Sequence, residues 1–182
     1  MKSKRKQVCP MFDPTVYDNL KVAFENYLYD LDNLDESIHI THRRDQLEMA
    51  SMSREFSLQF CLRDHTAVTA EVVLKSSLQA IAAEILETPG NHPGCELELR
   101  FAWVTKELEP GCHDVQSVMQ ENWPDQRIVQ HIHYLFGEAP VSFNVSASVY
   151  FDRKVNEEQM HDIPVLCDHM LHVLNRLVMV HE

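Results

Sequence analysis

The sequence predicts an α+β fold: a two-layer sandwich in which a mostly antiparallel sheet carries helices on one face and leaves the other face open. Three observations lead there. Apolar residues with three-four helical spacing open and close the chain. Most of the segments between them alternate apolar with polar residues, most cleanly in "APVSFNVSASVYFD", Ala139 to Asp152. There Val141, Phe143, Val145, Ala147, Val149 and Phe151 fall on one side, and Ser142, Asn144, Ser146, Ser148 and Tyr150 on the other. Such alternation means a sheet buried on one face only. A doubly wound parallel sheet would need continuous apolar runs, so a Rossmann-like architecture is excluded.

The elements follow in order. Asp13 is placed as a helix N-cap with Pro14 in the first turn, and Val16, Leu20, Ala23, Phe24, Tyr27, Leu28 and Leu31 form one buried stripe. "DNLDES" ends this helix; "SIHIT" reads as a short strand and charged "HRRDQ" as a break. Phe56, Leu58, Phe60 and Leu62 then alternate against Ser57, Gln59, Cys61 and Arg63, and "RDHT" turns the chain into a strand over Val68, Ala70, Val72 and Leu74. Ser76 and Gln79 make a capping-box pattern opening a helix over Leu78–Glu87. "TPGNHPG" is a loop, after which Leu97, Leu99, Phe101 and Trp103 alternate against Glu96, Glu98 and Arg100. "ELEPGCHD" breaks again before a short helix at Val115–Glu121, with Trp123 a packing residue at its boundary. Ile128, Ile132 and Leu135 suggest a helix through Phe136, with a strand as the alternative. The last helix begins near Glu157, turns Ile163, Leu166, Met170, Leu174 and Leu177 inward, and becomes regular a turn later because of Pro164.

The 182 residues suit one domain, placed at 13–182, behind a flexible basic tail at 1–12. Net charge is -12, from 16 Lys and Arg against 28 Asp and Glu. Lys2, Lys4, Arg5 and Lys6 lie in the tail, so the remainder carries 12 against 28, about -16. A body so acidic repels phosphate backbones, and nucleic acid is not an expected partner. "VCPMFDPTVYD" interrupts any signal-peptide core with Pro10, Asp13 and Pro14, and no window holds the roughly 18 apolar residues of a membrane span. Cys9, Cys61, Cys95, Cys112 and Cys167 are odd in number and widely spaced, which fits reduced thiols in a cytoplasmic chain, with Cys61 and Cys167 as packing residues.

Few motifs carry chemistry. Only four glycines occur, and no phosphate-binding loop or nucleophile elbow is present, so no nucleotide cofactor is expected. His131 and His133 would share one face of a strand and diverge on a helix; Asp168 and His169 each lie about one turn before His172 on the last helix. Neither set has a third ligand at a fixed spacing, and no metal site is assigned. Cys112, His113 and Asp114 are adjacent, but nucleophilic triads assemble across a fold, so no catalytic residue is assigned either. The Asn144-Val145-Ser146 sequon sits in a core strand, a poor place for a glycan.

The polar side of the serine-rich strand is the candidate site, with Ser142, Asn144, Ser146, Ser148 and Tyr150 as partner-binding residues. Gln59, Cys61, Glu96, Glu98 and Arg100 are its expected companions, and Ala102, Val104 and Tyr150 add apolar area. Small polar side chains either face water or admit close approach of another chain, for which a second copy is the simplest partner. At the level of fold alone, the element order and acidity resemble the small dimeric chaperones of bacterial secretion systems. That resemblance implies a helix-flanked sheet binding partly extended protein clients. The expected function is therefore a non-enzymatic, cytoplasmic binding or adaptor protein, homodimeric, without cofactor or membrane association. The alternative is a small metal-dependent enzyme built on His131 and His133.

The charge argument makes a direct prediction. A chain beginning at Val8, freed of the basic tail, is expected to show no micromolar, salt-sensitive binding to duplex DNA or RNA in fluorescence anisotropy. Such binding would contradict it.

Overall fold

The computed structural model describes residues 15–86, 93–109, 111–137 and 142–181; the expected tail at 1–12 lies outside them. The protein is α+β. Its order is α1 (Val16–Asn33), β1 (Ile38–Glu48), β2 (Ser53–Leu62), β3 (His65–Ser76), α2 (Leu78–Ile85), β4 (Glu96–Thr105), α3 (Gly111–Asn122), β5 (Arg127–His133), β6 (Phe143–Tyr150), a 3-10 turn (Glu157–Asp162) and α4 (Ile163–His181). The six strands form one open sheet in the order β1-β2-β3-β4-β6-β5, every neighbouring pair antiparallel.

One face of the sheet is the core. Phe56, Leu58, Phe60, Val68, Val72, Leu99, Phe101, Val145 and Val149 are buried there against the inward sides of α1, α3 and α4. Leu20, Phe24, Leu28 and Leu31 supply the α1 stripe, and Cys167, Met170, Leu174 and Leu177 the α4 stripe, at the three-four spacing that puts side chains on one helix face. Each fully buried Leu or Phe contributes roughly 1.5–3 kcal/mol by leaving water, so this layer supplies most of the stabilisation. Trp123 packs as expected, its ring 5.9 Å from that of Phe101. Glu157–Val180 is long and apolar enough to cross a membrane by length and composition alone, but its apolar stripe is the one packed on the sheet.

Several local expectations need correction. The N-cap of α1 is Thr15, not Asp13: Thr15 Oγ1 accepts from the Asp18 amide and Asp18 accepts from the Thr15 amide, which closes a capping box. Arg54 pairs with the same Asp18 at 2.8 Å and lies 4.1 Å from the centre of the Tyr17 ring. Burial would raise the Asp18 pKa, but Arg54 and Thr15 outweigh it and hold it at about 2. Similarly, α2 is capped by Ser77, while Ser76 is the buried last residue of β3.

"HRRDQ" is no break. It continues β1 past a bulge between Ile40 and His42. Two of its charges have partners on α1: Arg43 meets Glu25 at 2.6 Å and Asp45 meets Lys21 at 2.9 Å. Gln126–His133 is also not helical; β5 pairs with β6 from Arg127 to His133. The four-residue spacing of Ile128 and Ile132 fits one helix face and one strand face equally well, and β-branched Ile128, Val129 and Ile132 favour the strand. Pro164 behaves as predicted, sitting in the first turn of α4 after the 3-10 segment, where its missing amide leaves no bond unmade.

Candidate functional site: the uncovered sheet face

The strand registers define what the second face carries. One row across the sheet reads Ser57, Val73, Glu98, Tyr150, Arg127; the next reads Gln59, Glu71, Arg100, Ser148, Val129. A third row is Cys61, Thr69, Ala102, Ser146, His131, and a fourth, shorter one is Val104, Asn144, His133. The helices pack on the opposite side, through contacts of α4 with β2 and β3, α1 with β1 and β3, and α3 with β5. No helix among the described residues lies over these rows.

The first two rows are a built electrostatic floor. Glu98, only 4% exposed, accepts hydrogen bonds from Lys75 Nζ, Arg100 Nη2 and Ser148 Oγ, each at 2.9 Å. Arg100 donates its other terminal nitrogen to Glu71 at 2.7 Å. Burial by itself would raise the Glu98 pKa; the Lys75 bond, the Arg100 charge and the Ser148 hydroxyl together hold it below the ordinary carboxylate range. Opposite charges two residues apart on one strand, and directly across on the next, lock four side chains that would otherwise each lose rotamer freedom separately. At the end of this floor Arg127 lies 4.3 Å from the centre of the Tyr150 ring. Lys75, Glu98, Arg127, Tyr150 and Lys154 line a hollow of about 290 Å³ there.

The third and fourth rows differ. Thr69, Ala102 and Ser146 are short, uncharged and half-buried, and beside them Val104 is 62% exposed. This row of short side chains, bordered by Asn144, His133 and Val104, is termed the trough for the small size of its side chains. The trough ends at β5, an edge strand whose outer side has no partner among the described strands. Just past it Tyr134, Leu135 and Phe136 are exposed, Phe136 almost completely, and Tyr134 leans edge-on against Phe143 at 5.7 Å.

The five sequence-predicted contact residues are therefore divided. Asn144 is exposed and Ser146 half-buried in the trough, and Ser142 is exposed just ahead of β6. Ser148 is 2% exposed and spends its hydroxyl on Glu98, while Tyr150 stacks beneath Arg127. The charge network went unseen in the sequence, although its signal is present: Glu71 and Lys75 on β3, and Glu98 and Arg100 on β4, sit on the polar side of adjoining strands. Gln59, Cys61, Glu98 and Arg100 do stand on the same face as Ser148, as expected.

The histidine and cysteine candidates stay apart. His131 and His133 share the face of β5, their rings stacked 6.5 Å apart, but no group of three or more metal-ligating residues gathers among the described residues. His169 and His172 are exposed on α4, and Asp168 accepts a bond from the Tyr27 hydroxyl at 2.7 Å. His113 is exposed beside Glu109, and the Cys112 carbonyl accepts from Gln130 on β5. Cys61, Cys95 and Cys167 are buried free thiols; burial pushes Cys95 and Cys167 up to about 12, which makes them packing groups rather than nucleophiles. No protein-family model matches the chain, and neither curated proteins nor solved structures yield a match.

The network sets a pH dependence with a definite sign. A carboxylate whose folded pKa is depressed adds stability that is complete above its unfolded value, roughly 4.3, and disappears as pH falls through the lower folded value. Glu98→Gln is expected to lower stability at pH 7 by about 2 kcal/mol, since it leaves Lys75 and part of Arg100 unpaired. The gap from wild type should narrow as pH falls below the ordinary glutamate range and wild-type Glu98 gains its proton. Urea unfolding of both proteins across that range checks it; a gap independent of pH would contradict the assignment.

Proposed function

We propose that the protein is a non-enzymatic, cytoplasmic binding or adaptor protein, chaperone-like in kind, that works as a homodimer and receives a protein partner on its uncovered sheet face. The observation that carries this reading is the trough of Thr69, Ala102 and Ser146 beside exposed Val104 and Asn144, on a face whose charged half is already internally paired. A floor of short side chains lets a backbone approach closely without first displacing long ones, and paired charges need not be stripped from water to admit it. Tyr150 and Arg127, residue types that anchor interfaces, stand on the same face, one row beyond Ser148. The likeness to secretion chaperones supports the reading only through element order and acidity.

Ser146→Arg tests it. On a water-facing strand the change is expected to shift stability by no more than about 0.5 kcal/mol. In an occupied trough it places a long cation where the partner's backbone sits. Proteins retained by wild type in native affinity capture should be lost from the variant, with circular dichroism and melting temperature unchanged. Identical retention by both would contradict a contact role for this face.

A further inference from the structure

We propose that the second copy joins along β5, edge to edge, so that two six-stranded sheets run on as one and their uncovered faces become a single surface. This rests on the reading of the chain as a homodimer and adds where the copies meet.

The two sheet edges are built differently. β1 is guarded: Arg43, Arg44, Asp45 and Glu48 lie along it, and a bulge between Ile40 and His42 breaks its regularity. Charges and bulges are the usual devices that keep a sheet edge from pairing. β5 has neither. Its register with β6 is unbroken over Arg127–His133, and residues 126–137 contain no Asp or Glu in a chain of net charge -12. Two such acidic chains repel each other over most of their surface, and an edge without carboxylates is a place where that repulsion is weakest.

The edge is also self-complementary. A two-fold axis perpendicular to the sheet through Gln130 sets Ile128 opposite the partner's Ile132 on the helix-covered side, and Val129 opposite the partner's His131 on the uncovered side. Ile132, 44% exposed at a free edge, would be covered by this pairing, and the exposed Leu135 and Phe136 lie just beyond the strand end to extend the contact. Outward backbone donors and acceptors of β5, which no described strand pairs, complete the ladder between the two copies.

Sedimentation velocity on the full chain, with circular dichroism as the folding control, is run on wild type, Ile132→Glu and Ser146→Arg. A Val129→Cys/His131→Cys double variant is oxidised and read on a non-reducing gel. Wild type is expected to be a dimer at micromolar concentration, and Ile132→Glu should raise its dissociation constant at least about a hundredfold. Ser146→Arg should remain dimeric, and the double variant should form an interchain disulfide absent from wild type. A monomeric wild type, or a dimer that survives Ile132→Glu and gives no cross-link, overturns the seam. A dimer dissolved by Ser146→Arg but not by Ile132→Glu also overturns it, moving the contact to the trough while leaving the face-binding reading intact.

Discussion

A sheet with helices on one side must make its other side stable in water without a second layer. The rest of the molecule follows from that constraint. Phe56, Leu58, Phe60, Leu99 and Phe101 commit one face to the core, and the strand period of two then fixes which residues meet the other. At the centre of that other face Glu98 has water largely excluded by its neighbours. Its charge is tolerable there only because Lys75, Arg100 and Ser148 replace the lost solvent. Removing one member of such a network strands the others, so the four side chains act as one fitting across β3, β4 and β6.

The division of the face into a paired, charged part and a small, uncharged part has a functional consequence. Long charged side chains that are already satisfied resist displacement by a partner. Thr69, Ala102 and Ser146 offer no such resistance, and the rows beside them run out to the β5 edge at His131 and His133. Surface and edge are therefore continuous, and a molecule bound in the trough would also lie close to a chain added along β5.

Much of this was legible in the residues, for physical reasons. Alternation in Phe56–Leu62, Leu97–Trp103 and the serine-rich strand survives because burial on one face demands it, and the two long helices show their stripes equally plainly. Two strands were misread. β1 carries Arg43 and Asp45 toward α1, where Glu25 and Lys21 meet them; charge reads as solvent exposure until the partner element is known. β5 hides behind a four-residue spacing that both periods share. The contact residues were legible only as a row: alternation placed Ser146 and Ser148 on one face, but only the cross-strand register shows that Ser148 belongs to Glu98 while Ser146 adjoins Ala102 and His131.

The central claim, that the uncovered face and its unguarded edge are where this protein meets others, is tested most directly by hydrogen–deuterium exchange at dilute and concentrated protein. Amides of β5 on its outer side should exchange quickly when dilute and slow markedly as the chain assembles, while β1, the guarded edge, keeps the same rate at both concentrations. Protection that appears on β1 instead, or a β5 edge indifferent to concentration in a protein that does assemble, would contradict the account.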